Sequence, residues 1–183
     1  MRICDGLPYY MPFGFYERAV FIREDVFKEA GLEYPTTWRE LIDRAAQLTN
    51  PASSKYGFSF RGINGCYENA NLMIYAAVGY DRLADDNAGY FIDDNGTTIF
   101  TLPETRQALL DFKELFQKAS PADSIAWGFS EQVQGSISGT AAILLQDSDA
   151  VPTMTSDLSD DQWDVIPLPM GDAGSVCLPN GYG

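Results

Sequence analysis

Apolar residues fall along the chain in short bursts, and their spacing changes from segment to segment. Phe15 to Ile22, "FYERAVFI", is mostly apolar and predicts a buried strand. Glu24 to Ala30 predicts a short helix, with Gly31 suited to the left-handed position just past its end. Beyond Pro35, Thr37 and Glu40 form a capping-box pattern. Trp38, Leu41, Ile42, Ala45 and Thr49 then recur at helical spacing on one face, and Arg39, Asp43, Arg44 and Gln47 take the other. Asn50-Pro51 ends that helix.

Tyr56 to Phe60 predicts a short strand, and Asn69 to Val78 a mostly apolar helix ended by Gly79. Turn chemistry at Asp94-Asn95-Gly96 marks a hairpin. Pro103 and Glu104 open a long helix whose predicted buried face is Ala108, Leu109, Phe112, Leu115, Phe116 and Ala119. A weaker helix spans Phe129 to Ser138. Thr140 to Gln146, "TAAILLQ", reads as a buried strand, "DSDAVPTM" as a helix or turn, and "QWDVIPLPM" as a last strand broken by prolines. Met1 to Gly14 is rich in Pro, Gly and aromatics and has no period. Helices and strands intermingle, so the class is α/β, and 183 residues suffice for one domain or one lobe of a larger protein.

Charge narrows the function. A net charge of −14 argues against nucleic acid and anionic membrane surfaces, and favours a neutral or cationic ligand. The chain has no histidine, which removes the usual general base and the commonest transition-metal ligand. Cys4, Cys66 and Cys177 match no zinc spacing and permit at most one disulfide; buried free thiols are the expectation. The start, "MRICDGLPYY", does not read as a signal peptide, and no window is apolar enough to span a membrane. The final "VCLPNGYG" has no closing helix and predicts that the chain was cut from something longer.

Chemistry concentrates at a few positions. Asp147 and Asp149 lie at the end of a buried strand, where α/β folds hold ligands. Two carboxylates at that spacing could act as acid and base, bind a cation, or cap and solvate the next helix. The acidic run Asp85 to Asn95 lacks the glycine and glutamate positions of a calcium loop, so no metal is expected there. No nucleophile elbow, phosphate loop or dinucleotide fingerprint is present, so no cofactor is implied. Aromatics are more suggestive. Tyr9, Tyr10, Tyr67, Trp127 and Tyr182 sit in loops or at element edges, where rings can stack on a sugar face or pack beneath loops.

Order matters more than any single motif. "VFIREDVFKEAGLEYPTTWREL", "KYGFSFRG", "AAVGYD", "LPETRQALLDFKELF", "FSEQVQGSISGTAAILLQDSDA" and "WDVIPLPMGDAG" follow one another as in extracellular solute-binding protein family 1. The chain resembles that family, the sugar-binding receptors of ABC importers, across nearly its whole length. Arg23 and Glu24 replace its usual Asn-Lys turn, and Asp149 stands where it often has an aromatic.

The resemblance implies a periplasmic-binding-protein (type II) lobe, a mixed sheet flanked by helices. Residues 1–183 would form this single lobe, without the family's amino-terminal lobe and carboxy-terminal helices. Segments at Gly14 and Gly181 would lie near the hinge. It implies a monomeric, non-enzymatic carrier of an oligosaccharide, delivered to ABC permease subunits. It also implies an extracytoplasmic location, periplasmic or tethered by a lipidated cysteine. Expected ligand residues are Tyr9, Tyr10, Tyr67, Asn69, Trp127, Gln146, Asp147, Asp149, Asn180 and Tyr182. The competing readings are a receptor for a cationic or other non-sugar solute, such as a polyamine or peptide, and a glycoside hydrolase using Asp147 and Asp149.

Overall fold

The computed structural model describes residues 3–4, 7–8, 14–83, 91–176 and 180–182, with 3–4, 7–8, 15 and 180–182 as backbone only. Strands β1 (Ile3–Cys4) and β2 (Leu7–Pro8) pair with each other. β3 (Gly14–Tyr16) pairs antiparallel with β8 (Asn180–Tyr182), setting Gly14 opposite Tyr182 and Phe15 opposite Gly181. The principal sheet has four strands in the order β5-β6-β4-β7. These are β4 (Arg18–Ile22), β5 (Tyr56–Ser59), β6 (Ala141–Asp147) and β7 (Asp164–Ile166). β6 runs parallel to β5 and antiparallel to β4, and β4 is antiparallel to β7.

Helices cover both faces. The helices are α1 (Glu24–Ala30), α2 (Trp38–Gln47), α3 (Cys66–Val78), α4 (Pro103–Ala119), α5 (Phe129–Ile137) and α6 (Val151–Asp157). Val20, Ile22, Ile143 and Leu145 point into the larger core with α2, α3 and α4. Phe21 and Leu144 point the other way, onto Val133 of α5 and Met154 of α6. Side chains alternate across a strand, so a fully buried β6 requires a helix layer on each side.

Several boundaries follow local chemistry. Thr37 accepts from the Glu40 main-chain N–H at 3.2 Å, and Glu40 accepts from the Thr37 N–H at 3.3 Å, closing the capping box. Gly31 stops α1 with φ of 65°. At Gly57 a Cβ would lie 1.8 Å from the Ala45 carbonyl oxygen, so α2 can lie on β5 only because this residue has none.

The structure corrects four expectations. The run Phe15 to Ile22 divides at Glu17, whose carbonyl is taken by the Ser148 N–H at 2.8 Å, and the two halves join different sheets. α3 starts three residues before Asn69, at Cys66, because Gly65 turns the chain with φ of 106°. The strand expected to be last, Gln162 to Met170, pairs in the principal sheet only over Asp164–Ile166, stopping at Pro167, which has no N–H, and β8 follows it. Leu109 is 41% exposed, while Thr105 is buried. Leu109 lies about 100° round α4 from Ala108, beyond the stripe that α3 and α2 cover.

Candidate functional site

The alternation that fills the core also carries Arg18 inward, on the same side of β4 as Val20 and Ile22. Its register partner across the ladder is Asp147, the last residue of β6. Arg18 Nη2 donates to Asp147 Oδ2 at 3.2 Å, and Nε stands 3.2 Å from Oδ1. The first turns of α3 close over the same guanidinium, which donates to Asn69 Oδ1 and to the Glu68 carboxylate. Asn69 is anchored in turn, donating to the Leu145 carbonyl at 3.4 Å. Burial pulls the Arg18 guanidinium below its ordinary value, against the stabilising charge of Asp147.

Next to this pair stand Asp149 and Arg61. Asp149 lies in the turn Ser148–Ala150 that leads into α6, and is exposed. Partial burial and the negative charge of Asp147 hold its carboxyl above its ordinary value, opposed by Arg61 and Arg18. Arg61 leaves the end of β5. Its Nη1 donates to Gln146 Oε1 at 3.3 Å, its guanidinium lies 5.9 Å from the Phe129 ring centroid, and its Nε is buried without a partner. Gln146 is fully buried, donates to Gln132 and accepts from the Asp147 N–H.

The rim is partly apolar. Tyr67, at 62% exposed, projects from the first turn of α3, with Ile63 exposed four residues before it and Ile125 exposed on the chain that packs against Gly62. The Trp127 carbonyl accepts from the Gly62 and Ile63 N–H groups at 3.0 and 3.1 Å, binding the two loops together. The half-buried Trp127 ring rests on Gly135 of α5, where a Cβ would come within 2.7 Å, and its Nε1 donates to Asp123 at 3.3 Å. One edge of that ring is therefore already seated on the protein.

Of the residues expected from sequence, Asn69, Gln146, Asp147 and Asp149 converge at the β6 end, and Tyr67 lies two residues before Asn69 on the exposed side of α3. Trp127 joins through the loop hydrogen bonds. Asn180 and Tyr182 enter as backbone in β8, opposite Tyr16 and Gly14. Tyr9 and Tyr10 lie outside the described residues. Arg18, Arg61 and Glu68 were not singled out by sequence. A basic residue at inward parity inside an apolar run was the one signal that could have marked Arg18. Among the described residues, no cluster of three or more His, Cys, Asp or Glu could hold a metal ion. Cys66 is a half-buried free thiol; Cys4 is described as backbone only, and Cys177 lies outside the described residues. No helix of the described residues is long and apolar enough to cross a membrane.

Known proteins resemble this chain in sequence and in fold. A mannitol-binding protein of Pseudomonas aeruginosa is 29% identical over 140 residues, which is 75% of this chain and 30% of that protein. A solute-binding protein of Agrobacterium radiobacter K84, solved in complex with ribitol, superposes with a TM-score of 0.73 at 26% identity, covering 94% of this chain and 42% of that one. A maltose-bound T. maritima MalE3 superposes at 0.80 and 22% identity, covering 97% and 45%, and attests the type II periplasmic-binding-protein fold. The chain thus spans under half the length of each of these three relatives. The profile of bacterial extracellular solute-binding proteins matches residues 2–183, nearly end to end, and the chain belongs to that family.

Proposed function

We propose that this chain is a ligand-binding lobe of the substrate-binding component of an ABC importer. The lobe takes a neutral polyhydroxylated solute, an oligosaccharide or a sugar alcohol, and releases it unchanged. One observation supports this above all: at the shared end of the two central strands β4 and β6, charged donors and charged acceptors sit side by side, from the buried Arg18–Asp147 pair out to the exposed Asp149. Arg18 and Arg61 are interleaved with Glu68, Asp147 and Asp149. A hydroxyl both donates and accepts, so adjacent ligand hydroxyls match such alternation through charge-assisted hydrogen bonds. The charges nearly cancel, which suits a neutral ligand better than a sugar acid. Tyr67 and the Trp127 turn supply apolar surface for the C–H face of a sugar ring. The relatives' ligands, mannitol, ribitol and maltose, are of this class.

In this reading a second lobe closes on the ligand about the β3–β8 ribbon, where Gly14 and Gly181 would flex. Tyr9, Tyr10, Asn180 and Tyr182 would line the hinge side of the cleft. The complete protein would be a monomer, act outside the cytoplasmic membrane, and dock on permease subunits. A second reading, a cationic solute, draws on the third carboxylate of the cluster and the net charge of −14.

The test is a thermal-shift panel on the full-length protein with maltose, maltotriose, D-mannitol, ribitol and spermidine, each mixture assayed for breakdown. A ligand at a hundred times its Kd should stabilise by about 2.7 kcal/mol. A shift with a glycan or sugar alcohol and no turnover is expected. A shift with spermidine alone moves the assignment to the cationic reading. New reducing ends from a glycan would make Asp147 and Asp149 catalytic instead. In the full-length protein Asp149→Ala should weaken glycan or polyol binding by about 1 to 3 kcal/mol, because it strands a hydrogen-bonded ligand hydroxyl.

A further inference from the structure

We infer that Gln132, which is fully buried beneath the site, is the positioning residue that fixes the hydrogen-bonding sense of Gln146 and, through it, the placement of Arg61. This rests on the ligand-site reading above.

The polarity follows from two main-chain groups. Gln132 Nε2 donates to the Ser59 carbonyl at 2.6 Å and to the Leu145 carbonyl at 3.3 Å. Carbonyls only accept, so the amide nitrogen of Gln132 must face them and its oxygen must face away. That oxygen accepts from Gln146 Nε2 at 2.7 Å. Gln146 is thereby committed to turning its own oxygen outward, where it accepts from the Asp147 N–H at 2.9 Å and from Arg61 Nη1 at 3.3 Å. Reversing either amide would set acceptor against acceptor or donor against donor at every contact. Two carbonyls on β5 and β6 thus decide, two side chains away, that an acceptor awaits Arg61.

Arg61 responds to that acceptor from a confined place. Phe129 lies against its guanidinium, and at Gly65 a Cβ would come within 3.0 Å of its Nη2, so glycine leaves the room it occupies. The charged groups around the relay are Arg61 from the loop after β5, Arg18 from β4, Glu68 from α3, and Asp147 and Asp149 from the β6 end. The chain has no histidine.

Gln132→Glu in the full-length protein tests the relay. Protonated, the new carboxyl keeps the shape and sense of the amide, donating to a carbonyl and accepting from Gln146. Ionised, it sets one charged acceptor oxygen against two carbonyls, while the other still accepts from Gln146. Burial raises such a carboxyl's pKa, so the change falls at higher pH than for a free acid. With maltose and D-mannitol as probes, the variant should bind within about threefold of wild type at pH 5, and about thirtyfold more weakly at pH 8. Wild type should not weaken toward alkali. Thr105→Ala, which removes a buried hydrogen bond from α4 to the Ile99 carbonyl in the turn before it, should lower Tm without changing the pH profile. Independently of any ligand, the Asp147 amide and Arg61 Nε–H NMR signals of the variant should move with the same midpoint.

Moving signals with no probe bound would keep the relay and remove the ligand reading. A bound probe with parallel pH profiles in variant and wild type would overturn the inference, leaving Gln132 a packing residue. Should the variant not fold, wild-type couplings across the hydrogen bonds decide. Couplings from Gln132 Nε2 to the Ser59 and Leu145 carbonyl carbons, and from Gln146 Nε2 to Gln132 Cδ, are required; their absence overturns it.

Discussion

Strand β4 has a buried arginine at each end, and the two differ in what surrounds them. Arg23, just past its last residue, is 7% exposed; Arg18, its first residue, is 6% exposed. Arg23 is matched by near neighbours and main chain. Nε and Nη2 donate to Asp25 at 3.0 and 2.6 Å, and Nη1 donates to the Ser136 and Ile137 carbonyls at 2.8 and 3.3 Å. Those carbonyls end α5, where a cation meets the negative end of the helix dipole, and Lys55 adds a bond to the Gly139 carbonyl at 2.7 Å. Arg18 instead gathers carboxylates from distant segments, beside an unpaired Arg61 Nε and an Asp149 whose carboxyl is held above its ordinary value. The first arrangement closes a structure. The second keeps charge concentrated where a ligand could use it.

The largest expected effect breaks the structural pole. Arg23→Ala should destabilise by about 3 kcal/mol, through a lost buried ion pair and stranded helix-end carbonyls, as read by urea unfolding. In the full-length protein it should leave ligand affinity unchanged; a matching loss of affinity would erase the distinction between the poles.

Asp149→Asn sharpens the contrast from the other side. A carboxyl whose folded pKa is raised costs stability once pH exceeds its unfolded value, and that cost is complete above the folded value. Neutralising it should therefore leave stability at pH 7 unchanged or raise it by at most about 0.5 kcal/mol, because the residue is solvent-screened. Affinity should fall nonetheless. A clear loss of stability would mean that Asp149 is structural.

The smallest effect lies away from both poles. Arg39 bridges Asp43 and Glu114 at 2.8 and 3.1 Å on the outer face of α2 and α4. Arg39 and Lys118 pull the Glu114 carboxyl from 4.5 down to about 2. A depressed carboxyl stabilises above its ordinary pKa, and that contribution fades as pH falls from 4.5 toward about 2. Arg39→Ala should cost about 0.5 kcal/mol at low salt, and less at 1 M salt in the same urea titration.

The poles also differ in how legible they were. Capping and turn signals are local, so Thr37, Glu40 and Gly31 announced their elements. The apolar run of β6 announced a covered strand. Arg23 was marked in the sequence only as a departure from the family's usual Asn-Lys turn, although its partner Asp25 lies two residues away. Arg18 was not, because Asn69 and Asp147 are 51 and 129 residues distant and only the folded register unites them. The division of one apolar run at Glu17 was equally hidden, since it depends on Ser148 reaching back across the chain. The β6 end was found from its aspartates, but the arginines between them needed three dimensions.

The most direct test is a crystal structure of the full-length protein with the solute retained in the thermal-shift panel. The account predicts ligand hydroxyls within hydrogen-bond distance of Arg61 and Asp149, with Tyr67 against the ligand and Arg23 untouched. A ligand bound elsewhere, with the Arg18–Asp147 end of the sheet facing only solvent, would contradict it.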